Sequence, residues 1–221
     1  MKILVIDVGG TNLKICMTGR SAVLKVPSGP TMTAAEMVAA VRKATPDWAY
    51  DAVTIGFPGP VVKNRVMAEP RNLGTGWRRM DYAKAFGTRV RILNDAAMQA
   101  LGSYRGGRML FLGLGTGLGS ALVIDGELAP LELAHLPYRK GRTYEDYVGK
   151  RGMKRLGVKR WRKHVAKVID LLRHGLQADE VVLGGGEAKN VKTLPPNVRR
   201  VANDNAILGG LRIWVDPKNR V

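Results

Sequence analysis

The stretch KILVIDVGGTNLK, residues 2–14, decides the fold. Residues 2–7 form a short run rich in Ile and Val that is closed by two glycines, which predicts a buried strand and a tight turn. Because two glycines favour a hairpin, we expect a returning strand over Leu13–Met17.

The same turn carries groups that suit phosphate and metal binding. Gly9 and Gly10 let backbone N–H groups approach a phosphate without interference from a Cβ atom, and Thr11 and Lys14 add a donor and a charge. Asp7 at the strand end can hold Mg²⁺ through water, since this ion prefers oxygen ligands and keeps several waters. Taken alone, the pattern fits an ordinary Gly-Gly hairpin equally well.

A second strand–glycine turn–strand pattern follows about a hundred residues later, with strands predicted over 109–114 and 120–124. Its turn, Gly115, Thr116 and Gly117, repeats the phosphate-cradling composition. Leu118 stands where a dinucleotide fingerprint has its third glycine, and the chain has no Gly-Lys-Ser/Thr loop, so a Rossmann oxidoreductase and a P-loop ATPase are disfavoured.

This repetition predicts an α/β fold of two related lobes with an active-site cleft between them. We expect an N-terminal lobe over 1–95, closed by a C-terminal helix over 203–221, and a C-terminal lobe over 96–202. Apolar spacing and turn residues predict the remaining elements. The predicted helices span 33–43 (Thr33 as N-cap), 96–104, 144–174 and 203–214. The predicted strands span 52–56, 90–93 and 180–183, the last of which is expected to be the final strand of the chain. A loop is predicted over 62–80.

Asn94 and Asp95 follow the apolar run of residues 90–93, where a strand presents polar side chains at its carboxyl end. A carboxylate there can accept the proton of an attacking hydroxyl while Asn94 orients another hydroxyl. In phosphoryl transfer such a base positions the nucleophile more than it drives the chemistry. A helix N-cap is an equally common use of Asn-Asp, and this alternative stays open here.

Two further clusters suit ligand binding. Glu132 and His135 lie three residues apart in an apolar setting and suit adjacent sugar hydroxyls, whereas no third ligand has the spacing of a metal site. Gly184, Gly185 and Gly186 follow an apolar strand and let a flat base or phosphates lie against the backbone, although a turn into a helix explains them equally well.

Charge is the unusual feature of the composition. Among 221 residues, 36 Lys and Arg stand against 18 Asp and Glu, a net charge of +18. Such an excess attracts polyanions, namely nucleic acid, an anionic membrane surface or a polyphosphate. Residues 139–173 alone hold 13 Lys and Arg and three acidic residues. A polyanion would relieve the repulsion between these charges, while a solvated helix face is the plain alternative.

The other composition features restrict the class of protein. Apolar residues make up 45% and charged residues 24%, as in globular domains. The single cysteine, Cys16, excludes an internal disulfide framework and a cysteine-rich zinc site, and fits a reducing cytoplasm. No run approaches the ~18 apolar residues of a membrane span, so we expect a soluble protein with no membrane partner.

The order of these motifs resembles that of the ROK sugar kinases, which have the actin/hexokinase-like (ribonuclease H-like) fold. Within that family, the chain is similar to the polyphosphate glucokinase branch. The similarity lies in residues 131–137 (LELAHLP), in residues 144–147 (YEDY) and in the basic helices with Lys-Arg-Trp at 159–161. The resemblance spans nearly the whole chain. Ala134 departs from it, since the family usually has glycine there, and the cysteine-rich zinc motif of many members is missing.

On the sugar side, the resemblance implies a role for each motif. Asp95 would be the catalytic base on the sugar 6-hydroxyl. Asn94, Glu132 and His135 would bind sugar hydroxyls, and Gly59 would contact the sugar through its backbone.

On the donor side, the resemblance implies that Gly9–Thr11 and Gly115–Gly117 cradle phosphates and that Gly184–Gly186 face an adenosine when the donor is ATP. We further hypothesise that the basic helices form a track for a phosphate chain. The residues of this track are Lys159, Arg160, Arg162 and Lys163.

The sequence therefore predicts a cytoplasmic hexose kinase of carbohydrate metabolism, a transferase that uses Mg²⁺ and takes polyphosphate, ATP or both as donor and glucose as acceptor. The family implies a homodimer, and nucleic acid is not an expected partner. Two alternatives stay open: an ATP-only kinase for glucose, mannose or another hexose, and a degenerate kinase fold that binds polyanions or nucleic acid. Asp95 argues against the degenerate fold, because a binding module does not need that carboxylate.

Overall fold

The computed structural model describes residues 1–202 and 205–215. The chain divides into two compact units. The first unit comprises Met1–Met98 and the chain from Gly210 onward, and the second unit comprises Gln99–Gly209. The predicted C-terminal helix is observed over Asn205–Val215, and its predicted residues 203–204 and 216–221 lie outside the described part.

The first unit is built on a five-stranded sheet. Its elements are β1 (Ile3–Val8), β2 (Asn12–Met17), β3 (Leu24–Pro27), α1 (Ala34–Ala44), β4 (Ala52–Phe57), a short hairpin of β5 (Val61–Val62) and β6 (Arg65–Val66), α2 (Tyr82–Phe86) and β7 (Arg89–Asn94). The strand order is β3-β2-β1-β4-β7, in which β1, β2 and β3 are antiparallel neighbours and β1, β4 and β7 run parallel.

The predicted strands and first helix of this unit are confirmed. All six residues of β1 and of β4 are buried, as expected for parallel strands that are covered on both faces. Thr33 caps α1 through a capping box with Glu36, and Met37, Val38 and Val41 form the buried face of this helix.

The second unit repeats this topology. Its elements are α3 (Asp95–Ser103, which begins in the first unit), β8 (Arg108–Leu114), β9 (Leu118–Ile124), β10 (Glu127–Leu131), β11 (Pro137–Arg139), β12 (Arg142–Thr143), α4 (Tyr144–Val148), α5 (Lys150–Leu156), α6 (Val158–Gly175), β13 (Glu180–Gly184), a 3₁₀ turn (Ala188–Asn190), β14 (Val198–Arg200) and α7 (Asn205–Val215, which continues into the first unit). The sheet order β10-β9-β8-β13-β14 matches that of the first unit, which explains the repeated strand–glycine turn–strand pattern.

Two predictions for the second unit were wrong. The helical pattern over 144–174 is three helices, because the chain breaks at Gly149 and at Gly157, which has a left-handed φ of 75°. A Cβ atom at Gly149 would lie 2.9 Å from the carbonyl oxygen of Thr116, so this glycine permits a close approach to the glycine turn. The strand over 180–183 is not the last one, because β14 pairs with it in parallel.

Helix α6 packs through one apolar stripe, as its spacing predicts. Trp161 is fully buried and its indole N–H donates to the Val148 carbonyl oxygen at 2.8 Å. Val165, Val168 and Ile169 continue the stripe, and basic side chains occupy the other faces of the helix.

Gly102 allows α3 and α7 to approach closely, since an added Cβ would overlap the Asn205 carbonyl oxygen and lie 2.7 Å from the Gly209 nitrogen. We therefore expect Gly102→Ala to lower the free energy of unfolding by about 1–3 kcal/mol. Gly175→Ala, where a Cβ has open space in the last turn of α6, is expected to raise it by about 0.5–1 kcal/mol. Urea titration measures both, and equal destabilisation by the two changes would contradict the packing argument.

Within residues 1–202 and 205–215, no helix has both the length and the apolar character that a membrane crossing requires. Among the same residues, there is no group of three or more His, Cys, Asp or Glu side chains that could hold a metal ion.

Candidate active site

The carboxyl ends of β1, β4 and β7 meet at one edge of the first unit's sheet. Asp7 of β1 is in register with Gly56 of β4, and Phe57 of β4 is in register with Asn94 of β7. Asp7, Gly59 and Asn94 therefore share this edge, where parallel sheets usually carry their ligand sites.

Asn94 joins two elements at this edge. Its amide nitrogen donates to the Gly59 carbonyl oxygen at 3.0 Å, and its amide oxygen accepts from the backbone N–H groups of Ala96 (2.9 Å) and Ala97 (3.3 Å). The N-cap interpretation of Asn94 is thus correct, and the same cap ties the start of α3 to the Gly59 turn.

Asp95 is half-buried in the first turn of α3, directly after β7. Its Oδ1 atom accepts from the Ala96 N–H at 2.8 Å. A helix N-terminus favours negative charge, so a carboxylate is well suited to this position.

Asp7 and Lys14 face each other across the β1–β2 hairpin, with 3.1 Å between Oδ2 and Nζ. The side chains are 11% and 26% exposed, so this ion pair is largely shielded from water. The Gly9 N–H donates to the Asn12 carbonyl oxygen at 3.1 Å, which leaves Gly10 and Thr11 as the part of the turn available to a phosphate.

In the second unit, three polar side chains gather beside the glycine turn. His135 Nε2 lies 3.9 Å from Glu132 Oε1, and His135 Nδ1 lies 3.9 Å from Glu145 Oε1. Glu132 and His135 are more than half exposed, whereas Glu145 is 27% exposed. Two carboxylates on either side of an imidazole present both acceptors and a donor to a polyhydroxyl ligand.

The segment that carries Glu132 and His135 is held from both sides. The buried Ser120 hydroxyl donates to the Leu131 carbonyl oxygen at 3.0 Å and accepts from the Leu133 N–H at 3.2 Å. On the other side, the Glu145 N–H donates to the Ala134 carbonyl oxygen at 3.0 Å.

Helix α4 presents Glu145 through a well-formed N-terminus. Thr143 and Asp146 form a capping box, in which the Thr143 N–H and hydroxyl both donate to Asp146 Oδ2 at 3.0 Å. These two hydrogen bonds hold the pKa of Asp146 below its ordinary value.

Gly117 leaves the space that the Glu145 carboxylate occupies. A Cβ atom at Gly117 would overlap Glu145 Oε2, whereas one at Gly115 would meet no atom within 4 Å. The turn is also joined to α5, because the Lys150 N–H donates to the Gly115 carbonyl oxygen at 2.9 Å. The turn that includes Thr116 thus lies directly against a carboxylate of the cluster formed by Glu132, His135 and Glu145.

Packing explains two of the three glycines at the end of β13, namely Gly184, its last residue, and Gly185. A Cβ at Gly184 would overlap the Phe111 ring, and Gly185 has a φ of 83° and lies against the Leu114 backbone. Only Gly186 has open space around its Cβ position, so it is the member of the triplet that packing does not require.

The four cations of the predicted track do not form one line on α6. At about 100° per residue, Arg162 lies roughly 160° around the helix from Arg160. Lys159, Arg160 and Lys163 are exposed, and Arg162 is half-buried with its Nε donating to the Asn190 carbonyl oxygen at 2.6 Å.

A cavity of about 490 Å³ in the first unit lies apart from these residues. Asn64, Trp77 and Tyr82 are among the side chains that line it, and none of the predicted site residues does. The candidate site therefore rests on the chemistry of its side chains and not on the size of a cavity.

Comparison with known proteins identifies the family. The sequence profile of the ROK family matches residues 3–130, more than half of the chain. The chain belongs to the ROK family. Among curated relatives, it is 28% identical over 204 residues to the polyphosphate glucokinase of Mycobacterium leprae, covering 82% of this chain and 62% of the relative. The chain thus spans less than two thirds of the length of the curated relatives that it matches first.

Solved structures show that this ROK protein has the actin/hexokinase-like fold. The inorganic polyphosphate/ATP-glucomannokinase of Arthrobacter sp. strain KM matches with a TM-score of 0.77 at 24% identity, over 97% of this chain and 98% of that one. The ROK hexokinase of Thermus thermophilus matches with a TM-score of 0.77 at 20% identity, over 97% and 98%.

The structure accounts for the departure from the ROK pattern at Ala134. This residue is 3% exposed, packs in the core of the second unit and is not among the residues with a left-handed φ. Its backbone therefore adopts a conformation that does not require glycine.

Glu145 belongs to the polar cluster beside the glycine turn, but the sequence analysis gave it no site role, although it lies in the 144–147 stretch that carries the resemblance. The Thr143-x-x-Asp146 capping box was the available signal, because it marks a helix start that presents Glu145 in the first turn. Residues 133–136 form a turn in which the Leu136 N–H donates to the Leu133 carbonyl oxygen at 3.2 Å. The contact of Glu145 with His135 depends on how α4 packs against this 133–136 turn, and no local sequence pattern encodes that packing.

Proposed function

We propose that this ROK protein is a hexose kinase that transfers a phosphoryl group from inorganic polyphosphate or ATP to the 6-hydroxyl of glucose. The observation that carries the proposal is the Asn94–Asp95 pair at the shared edge of β1, β4 and β7, in a family whose matched relatives are named polyphosphate glucokinases. A carboxylate that begins a helix at this edge suits a base positioned for a bound ligand.

On the sugar side, Glu132, His135 and Glu145 would bind adjacent hydroxyls, together with Asn94. Carboxylates accept hydrogen bonds from hydroxyls, and the imidazole ring donates or accepts according to its tautomer. The hydrogen bond between Asn94 and Gly59 supports a role for the Gly59 turn in shaping the sugar site.

In the reaction, the Asp95 carboxylate accepts the proton of the sugar 6-hydroxyl. The sugar oxygen forms a bond to the terminal phosphorus of the donor while the bridging P–O bond breaks. The leaving group is ADP or a polyphosphate shortened by one unit, and Asp95 later returns its proton to solvent. The base aligns the hydroxyl more than it drives the bond change.

On the donor side, Gly10, Thr11 and Gly115–Gly117 would contact phosphates, with Lys14 adding charge. Mg²⁺ binds proteins through one or two carboxylates, several waters and substrate phosphates, and a single carboxylate at Asp7 fits that donor set. When bound, the ion would neutralise charge on the donor. Cytoplasmic location and a homodimeric assembly stay predictions.

A coupled assay with both donors and a panel of hexoses tests the proposal. We expect glucose phosphorylation, with a polyphosphate KM that rises roughly 20- to 50-fold between 50 and 200 mM salt if three to four cations bind the chain. The ATP reaction is expected to change less. Equal salt dependence with both donors would count against a track for the phosphate chain. Turnover with ATP alone would favour the ATP-only alternative, and no turnover with any hexose would contradict the kinase assignment.

A further inference from the structure

A cavity of about 370 Å³ adjoins one face of α6 and includes only part of the predicted track. Arg162 and Lys163 line it, and Lys192, from the segment after the 3₁₀ turn, lines it from the other side. Arg160 points away from this face and is not among the lining residues. Lys192 is a cation that the sequence analysis did not connect with the track.

The lining of this cavity is largely apolar and carries three cations. Ala166, Ile169, Val191 and Pro195 form its apolar part, and Thr193 adds a hydroxyl. Three cations and no Asp or Glu stand among the described residues that line it. One sign of charge against a low-dielectric wall focuses the electric field and raises the local concentration of anions.

The wall that carries Lys192 is held in place by two arginines. Arg162 Nε donates to the Asn190 carbonyl oxygen at 2.6 Å. From the other side, Arg200 Nη1 contacts the carbonyl oxygens of Ala188 (3.3 Å), Lys189 (3.2 Å) and Val191 (3.4 Å). The backbone of this wall and the Arg162 side chain are therefore preorganised, which reduces the entropic cost of binding.

A continuous chain of contacts links this cavity to the glycine turn. Lys150, whose N–H binds the Gly115 carbonyl oxygen, has its Nζ 3.9 Å from Glu187 Oε1. Glu187 Oε2 accepts from the Asn190 side-chain amide at 2.7 Å, and Asn190 in turn accepts from Arg162. The contacts between the turn and the cavity thus lie within the second unit and involve three intermediate residues, Lys150, Glu187 and Asn190.

We propose that this cavity binds distal phosphates of an inorganic polyphosphate donor, and that Arg162, Lys163 and Lys192 set the preference for polyphosphate over ATP. The inference rests on the proposed kinase function, in which the Gly115–Gly117 turn would contact phosphates of the donor. Beyond its triphosphate, ATP continues as a neutral adenosine that gains little from three cations. A polyphosphate continues as a charged chain, which the cations attract.

Equilibrium binding of a long-chain polyphosphate, measured by calorimetry across a salt series without sugar, tests the cavity itself. Lys192→Gln and Lys163→Gln are each expected to weaken binding roughly fivefold or more and to reduce the salt slope by about 1. Lys154→Gln on α5 removes the same charge from an exposed site away from the cavity and serves as the matched control. Arg160→Gln distinguishes the cavity from a track along the whole helix, and a loss equal to that of Lys192→Gln would overturn the proposal.

Steady-state kinetics with both donors test the selectivity. In Lys192→Gln, the ratio of kcat/KM for polyphosphate to kcat/KM for ATP is expected to fall about fivefold or more. An equal loss with both donors, or a selective loss with ATP that marks the cavity as a base site, would overturn the inference. If the wild-type chain phosphorylates no hexose, the proposed function fails, while the binding experiment still decides whether the cavity holds polyphosphate.

Discussion

Asp95→Asn is expected to lower turnover by at least ~100-fold while glucose still binds. The amide has the size of the carboxylate and keeps an oxygen that can accept from the Ala96 N–H, so the start of α3 is preserved. It cannot accept the proton of the sugar hydroxyl, and it also lacks the negative charge that the helix N-terminus favours.

Turnover of this variant is measured in a coupled assay and glucose binding by calorimetry. Asp170→Asn, the same chemical change at an exposed position of α6, is the matched control and should behave as wild type. Unchanged turnover in Asp95→Asn would refute its role as the base. Loss of glucose binding with unchanged kcat would make Asp95 a sugar ligand instead.

Gly117→Ala is the second change with a large expected effect. The new Cβ would occupy the position of Glu145 Oε2, and the carboxylate is the flexible end of a side chain, so it would move rather than unfold the turn. Displacing a charged hydrogen-bond partner costs about 1.5–3 kcal/mol, so we expect glucose affinity to fall roughly 10- to 150-fold. The melting temperature should change little.

A double-mutant cycle tests whether this effect acts through Glu145. In a Glu145→Ala background, Gly117→Ala should cost little further glucose affinity, since the displaced group is already absent. Additive losses would show that Gly117 acts independently of Glu145. Gly115→Ala, at a position with open space, provides a comparison on the same turn, and its loss of glucose affinity should be the smaller one.

The fold was predictable where a single local signal decides each element. The buried run over residues 2–7 and its glycine turn predicted β1 and β2, and the same signal predicted β8 and β9 in the second unit. Strand β14 gave no such signal, because Val198–Arg200 is short and polar and pairs only through its long-range contact with β13. The helix breaks at Gly149 and Gly157 were missed because a single glycine inside a helical pattern does not by itself end a helix.

The candidate site was predictable residue by residue but not as an arrangement. Asn94 was assigned both a cap and a ligand role, and the structure gives it the cap and the contact with Gly59 at once. Glu145 and Lys192 were missed because each meets its neighbours only through tertiary packing, of α4 on the 133–136 turn and of the 191–195 segment on α6. Spacing along the chain carries no information about such contacts.

Mass spectrometry of the sugar after incubation with the purified chain, Mg²⁺ and either donor decides whether phosphoryl transfer to the 6-hydroxyl occurs. Glucose should gain one phosphoryl group with at least one donor, whereas 6-deoxyglucose should stay unmodified and compete with glucose. Failure of glucose to gain a phosphoryl group with either donor, or equal modification of both sugars, would contradict the assignment.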